Sequence, residues 1–376
     1  MSADRCARLA LSRLGEPGDL RMAGLVAELG AERVYAELLD GRDPRGLRTD
    51  VAARLDDMDP ARDLERAHRA GLRWVVPGDA EWPPGLDDLD RSEPLQGMGR
   101  APLGLWVRGP IRLDELATPV AVVGSRSATT YGTEVATELA AGLARSSAAV
   151  LSGAAFGIDQ AAHRGALAGG GQTVAVLACG VDRAYPAAHQ ALLDHLAEHG
   201  AVVSELAPGC APTRLRFLAR NRIIAALSRG TVVVEAAVRS GALNTASWTQ
   251  RLNRPVMGVP GPVTSAPSEG VHQLIRSGTA TLVTRADDVL ELTAAMGEHL
   301  VEAPRAPTSA RDRLTRSQQQ VLEAVPLVRP APSDSIARTA GLGLVQVRSA
   351  LDGLSRRGLV EQLPTGWRLA EGSDEA

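Results

Sequence analysis

Lysine is missing: all 41 basic residues of the chain are arginine, set against 44 acidic ones for a formal net charge of −3. Cysteine is scarce. Cys6, Cys179 and Cys210 are odd in number and far apart, which argues against a disulfide framework or a cysteine-based zinc site. No apolar run approaches the roughly 18 residues needed to cross a bilayer. The first ten residues, MSADRCARLA, lack the basic head and apolar stretch of an export signal. The expectation is a cytoplasmic protein, neither secreted, membrane-spanning nor metal-stapled.

What is present is ordinary in amount and uneven in placement. A hydrophobic fraction of 44% and a charged fraction of 23% are those of a soluble globular protein. A length of 376 residues exceeds the usual domain of about 100–200, so two or three domains are expected. Residues 1–117 carry 17 Arg against 22 acidic residues, residues 118–292 carry 14 against 12, and residues 311–370 carry 9 against 5. Between 206 and 234 stand Arg214, Arg216, Arg220, Arg222 and Arg229, with no acid at all. Such local asymmetry is an electrostatic footprint for anions.

Patterning divides the chain. Residues 1–70 read as short helices, with apolar periodicity at Leu25, Leu29, Val34 and Leu38. Residues 71–117, rich in Pro and Gly, read as a connector with short strands. From Pro119 onward, apolar β-branched runs alternate with helical intervals: PVAVVGS, AAVLSGAA, QTVAVLACG, AVVSEL, GTVVVEAA, RPVMGVPG and TATLV. Continuous runs of this kind are strands buried on both faces. The fold class expected over 71–296 is therefore α/β, a doubly wound parallel sheet. Residues 297–312 read as a linker. Residues 313–372 read as three helices and a hairpin, the pattern of a winged helix, with 344–357 as recognition helix by position. An acidic tail, GSDEA, follows.

Ligands of an open parallel sheet bind beyond the carboxyl ends of its strands. The first of these strands ends at Gly124-Ser125-Arg126 before a helix, where backbone N–H groups and a guanidinium suit phosphate. The spacing is not that of a dinucleotide site. The second ends in Ser152-Gly153 with Gly157 and Asp159 beyond, which is an anion cradle or plain turn chemistry. In RLRFLARNRIIAALS, Arg214, Phe217 and Asn221 share a helical face, with Arg220 and Arg222 beside it and Ile223, Ile224 and Leu227 facing a core. Arginines interleaved with an aromatic suit single-stranded nucleic acid, and they also suit a solvated amphipathic helix. Ser240 and Gly241 read as a further helix-entry loop. Cys179 reads as a buried inert thiol. His195 and His199 lack a third metal ligand and read as a surface pair. No cofactor, metal or catalytic residue is expected.

VAVVGSR, SGAAFGIDQAAH, YPAAH, RNRIIAALS, SGALNTA and VPG stand in the order and spacing of the DNA-processing protein A family, DprA or Smf, which this chain resembles over most of residues 71–292. It departs from the family pattern at His189, usually Asn, and Leu218, usually Pro. The resemblance implies an extended Rossmann-like domain that binds single-stranded DNA and helps load the RecA recombinase in natural transformation, acting as a homodimer without enzymatic activity. It implies a DNA pocket at Ser125, Arg126, Arg214, Phe217 and Asn221, with Gly153 and Arg222 as neighbours; Arg220, Ser240 and Gly241 join the candidate DNA-binding residues on their own reading. It also implies a sterile-alpha-motif-like N-terminal domain and a C-terminal winged helix. The rival class is the related LOG-type nucleoside-monophosphate phosphoribohydrolases. Their catalytic Glu motif is absent here, and Glu235 is the nearest candidate. A winged-helix transcriptional regulator is a third reading.

Overall fold

In the computed structural model, residues 2–42, 58–295, 297–300 and 313–370 are described. Most of the expected linker, and the acidic tail, lie outside them. The chain divides into two compact units, Met1–Val301 and Glu302–Ala376.

All seven β-branched runs are strands: β3 Val120–Val123, β4 Val150–Ser152, β5 Thr173–Val176, β6 Ala201–Ser204, β7 Gly230–Val233, β8 Val256–Gly258 and β9 Ala280–Leu282. Two strands from the Pro/Gly-rich connector, β1 Leu72–Val75 and β2 Leu105–Arg108, complete a nine-stranded sheet ordered β1-β2-β6-β5-β4-β3-β7-β8-β9. From β6 to β9 every pairing is parallel, and β2 joins β6 antiparallel. Residues of β3 alternate between two cores: Ala121 and Val123 join one apolar cluster, Val120 and Val122 the other. Both faces are therefore covered, which is why these strands read as unbroken apolar runs. Each fully buried Val or Leu contributes about 1.5–3 kcal/mol relative to exposure.

The Thr130–Arg145 and Ile158–Ala168 helices cover one face, and the Arg214–Leu227 and Ala242–Arg251 helices cover the other. Chain order runs outward from β3 through β6, then returns to place β7 beside β3 and runs the opposite way. The Arg214–Leu227 helix makes that return, so its first turn starts at the carboxyl edge of the sheet.

The first 70 residues hold the Ala3–Leu14, Leu20–Leu29, Ala31–Leu39 and Pro60–Arg69 helices, the first, second and fourth capped by Ser2, Asp19 and Asp59 side chains. Ala7, Leu11, Met22, Leu25 and Val34 of these helices form an apolar cluster among themselves, within the first of the two units. Leu9 and Leu64 share an apolar cluster with Trp74 and Trp106 of the sheet, and Glu16 pairs with Arg216 at 2.7 Å. In the second unit, the Arg316–Ala324, Ser333–Ala340 and Leu344–Ser355 helices precede an antiparallel hairpin of β10 Val360–Leu363 and β11 Gly366–Leu369. Val321, Ile336, Val347, Leu351, Leu354 and Trp367 form its core. Among the described residues, no helix is long and apolar enough to cross a membrane.

Candidate nucleic-acid interface

The connections leaving β3 and β7 diverge in opposite directions, and that switch point is where a doubly wound sheet opens a crevice. A cavity of about 1040 Å³ lies there, walled by the loop after β3, the loop after β7 and the first turns of the Arg214–Leu227 helix. Among the described residues, Arg126, Arg214, Arg220 and Arg239 line it, against the single acid Asp159.

The β3 loop is built to stay put. Ser125 N–H donates to the Glu235 carbonyl at 2.7 Å, and Ser125 Oγ accepts from Ser127 N–H at 3.2 Å. A Cβ at Gly124 would overlap Ile158. The Glu235 carboxylate accepts from Thr129 N–H at 2.9 Å and Thr129 Oγ1 at 2.6 Å, and Thr129 caps the Thr130–Arg145 helix. Glu235 is 1% exposed and stands outside the cavity lining. Arg126 projects from this rigid loop and is exposed. Its guanidinium carbon lies 4.4 Å from the Phe217 ring centroid, within cation–π range.

Thr213 caps the Arg214–Leu227 helix through Arg216 N–H at 3.3 Å. The shared face expected from sequence is real in this sense: Arg214, Phe217 and Asn221 all line the cavity. The expected solvated side is not. Every residue from Ala219 to Leu227 is buried, because sheet, connector and N-terminal helices enclose this helix. The arginines therefore take separate fates. Arg216 makes a bidentate pair with Glu16. Arg220 turns inward, donating to the carbonyls of Gly153 at 2.8 Å and Val176. Burial pulls its pKa down to about 10, against the opposing pull of Asp159. Arg222, 0% exposed, grips both oxygens of Glu205 at 2.7 Å and lies away from the cavity. Only Arg214 and Arg126 present exposed guanidinium groups there without an ion pair among the described residues, together with Arg239 from the β7 loop.

Gly153 is a fit to Arg220 rather than a wall of the cavity. A Cβ on it would run into the Arg220 guanidinium. Gly153 N–H and Ala155 N–H donate to the Asp159 carboxylate at 3.2 and 3.3 Å. Burial raises the Asp159 pKa, opposed first by Arg220 and then by these N–H groups. Ser240 and Gly241 line the cavity at the start of the Ala242–Arg251 helix. Asn221 holds that loop, donating to the Gly241 carbonyl at 3.3 Å and Asn244 Oδ1 at 3.2 Å. The structure thus gathers Ser125, Arg126, Arg214, Phe217, Arg220, Asn221, Ser240 and Gly241, sets Gly153 behind Arg220 and excludes Arg222. Tyr185, the first residue of YPAAH, and Arg239 also line the cavity without having been named as site residues from sequence, Tyr185 tilting against Phe217 at 5.6 Å. Cys179 is buried, and burial pushes its thiol up to about 11. His195 and His199 stack at 4.4 Å on the surface. Among the described residues, no three His, Cys, Asp or Glu side chains gather to hold a metal.

The arrangement can take a planar ring against Phe217 and Tyr185 with anions at the exposed guanidinium groups. The family model described as DNA recombination-mediator protein A matches residues 73–294. A Mycobacterium tuberculosis protein bearing the name DNA processing protein DprA is 46% identical over 96% of this chain and 92% of its own length. A solved DNA processing protein A from Streptococcus pneumoniae superimposes with a TM-score of 0.63 at 32% identity, covering 77% of this chain and 97% of that one. A Helicobacter pylori DNA processing protein A, described for its single-stranded DNA binding mode, superimposes with a TM-score of 0.50 at 26% identity, covering 58% and 94%. With the family model spanning most of the sheet domain and a full-length relative at this identity, the chain belongs to the DNA recombination-mediator protein A family.

Proposed function

We propose that the chain binds single-stranded DNA in the switch-point cavity, with phosphates at Arg126 and Arg214 and a base stacked against Phe217. The observation that carries this reading is the sorting of the arginines. Arg216, Arg220 and Arg222 are consumed by internal partners, while Arg126 and Arg214 stand exposed beside a half-buried aromatic. Free guanidinium beside an aromatic is what a backbone-tracking, base-stacking site requires. Ser125, Ser240 and Gly241 supply the small walls that let the strand approach the backbone, and Asn221 and Gly153 hold those walls in place.

The family role extends this reading to recombination: the bound strand is protected and handed to a RecA recombinase, with the protein acting as a cytoplasmic homodimer. The first 70 residues serve as a sterile-alpha-motif-like element and residues 313–372 as a winged helix. No reaction is catalysed. A phosphoribohydrolase needs a carboxylate free to face its substrate; Glu235 is committed to Thr129 outside the cavity, and Asp159, which lines it, is taken up by the Gly153 and Ala155 N–H groups.

The test is a mobility shift of the full chain with single-stranded and duplex oligonucleotides, run beside an assay for base release from nucleotides. Preferential binding of the single strand without release supports the reading. Turnover abolished by Glu235→Gln, or binding only to duplex, overturns it.

A further inference from the structure

We propose that the binding groove continues past Arg126 into a second nucleotide subsite, where Phe156 takes a base and Arg164 the adjoining phosphate. This rests on the reading of the first cavity as a single-stranded DNA site.

A separate cavity of about 430 Å³ borders the first and shares Arg126 and Ser127 with it. Among the described residues, Arg126 and Arg164 line it and no Asp or Glu does. Arg164 is exposed on the Ile158–Ala168 helix, and its guanidinium has no ion pair or hydrogen bond among the described residues. The surface there is cationic and open.

Phe156 supplies the second part. The chain has two phenylalanines, and neither belongs to any apolar core cluster. Phe217 lines the first cavity, and Phe156, 46% exposed, lines the second. A single exposed apolar side chain carries little meaning. This one is held out by its backbone. Ala154 at φ 53 and Gly157 at φ 75 bracket it in the left-handed region, and a Cβ at Gly157 would strike the Ser125 carbonyl. The Asp159 carboxylate ties down Gly153 and Ala155, and Ile158 N–H donates to the Ser125 carbonyl at 3.2 Å. Behind the ring, His189 meets it edge-on at 4.7 Å, itself 1% exposed and fixed through Nδ1 to the Ala154 carbonyl at 2.9 Å. The result is a supported aromatic platform whose ordering is already complete before a ligand arrives.

Each cavity therefore pairs one phenylalanine with exposed arginine, and Arg126 sits at their border. A mononucleotide needs one such pair. A polymer that repeats base and phosphate along a backbone needs them in series, which is the chemistry of a single strand.

The experiment uses the full chain with a fluorescein-labelled thymidine mononucleotide as the short ligand and an oligothymidylate of about twelve nucleotides as the long one, the latter within the footprint range of comparable stacking grooves. Phe156→Ala and Arg164→Ala are expected to weaken the long oligonucleotide by roughly 5- to 100-fold and leave the short one unchanged. Arg164→Ala is also expected to lower the salt slope by about 0.7, and Phe156→Ala to keep it. Phe156→Leu, which retains bulk against His189, is expected to bind as poorly as Phe156→Ala, and Phe156→Trp to restore affinity. If folded Phe156 and Arg164 variants bind both lengths like wild type while Phe217→Ala weakens both, the second subsite is wrong and the first stands. The same variants losing a protein partner but not DNA would also overturn it. Wild type that binds neither length refutes the first-site reading instead, and this one with it.

Discussion

Five arginines between residues 206 and 234 look equivalent in sequence, and the structure says they are not, which a charge-by-charge deletion measures. Arg214→Ala removes an exposed guanidinium at the cavity mouth. A charged contact contributes about 1.5–3 kcal/mol, so binding should weaken roughly 10- to 150-fold. One fewer phosphate neutralised should flatten the plot of log affinity against log salt by about 0.7. Arg126→Ala should behave the same way. Arg216→Ala should leave the slope alone, because its charge is already met by Glu16. Arg222→Ala should also leave it alone but strip stability: Glu205 loses its partner in the interior, a loss on the order of 3–5 kcal/mol. Phe217→Ala should weaken binding by about 1–3 kcal/mol with the slope intact, since stacking releases no counterions. Because Phe217 also seats the Arg126 guanidinium, the double variant should fall short of the sum of the singles by about 0.5–1 kcal/mol. Fluorescence anisotropy across a salt series reads all of this, after melting curves establish folding. A folded Arg214→Ala with the wild-type slope, or an Arg216→Ala that flattens it equally, refutes the reasoning.

Other consequences are independent of DNA affinity. Burial holds the His163 pKa down to about 3 from 6.5, so as pH falls below 6.5 the unfolded chain takes up a proton that the folded chain refuses. Stability supplied by the neutral ring is present above 6.5 and drains toward pH 3, at up to about 1.4 kcal/mol per pH unit. His163→Asn, which keeps a donor for Thr173 Oγ1, should flatten that acid-side loss in melting temperature; an unchanged pH profile sinks the assignment. Gly153→Ala should destabilise the fold and displace Arg220, since the new methyl occupies the guanidinium's place, and melting near the wild-type temperature would contradict it. Glu235→Gln should lower the melting temperature by weakening the Thr129 clamp while binding persists; loss of binding without loss of stability would place Glu235 in the site.

The sheet was legible because its strands are buried on both faces. Seven β-branched runs separated by helical intervals admit little besides a doubly wound order, and the strand-end position of Ser125, Arg126, Ser240 and Gly241 follows from that order alone. β1 and β2 were less legible. Their residues lie in a Pro/Gly-rich stretch, and nothing local dictates that β2 pairs antiparallel with β6, a hundred residues away. Tyr185 and Arg239 escaped for a related reason. They belong to loops whose meeting depends on the return of the chain to β7, so neither the YPAAH motif that Tyr185 heads nor the strand end before Arg239 says that the two share a cavity.

The largest error concerned burial on the Arg214–Leu227 helix, and it explains why the local charge count misleads. Helical periodicity assigns one apolar face and one wet face, but from Ala219 to Leu227 this helix is enclosed on all sides and has no wet face to assign. Arg220 survives burial because a guanidinium can satisfy several acceptors at once. Arg220 spans two strand-end carbonyls, and Arg254 collects those of Ala225, Ala226 and Ser228 at the end of the same helix. The partners of Arg216 and Arg222 are Glu16 and Glu205, both outside the acid-free window that made the segment look like an open cationic stripe. A chain without lysine places guanidinium groups in structural posts as well as at ligands. The charge available to DNA is therefore set by which arginines lack an internal acceptor, and within the cavity those are Arg126, Arg214 and Arg239 among the described residues.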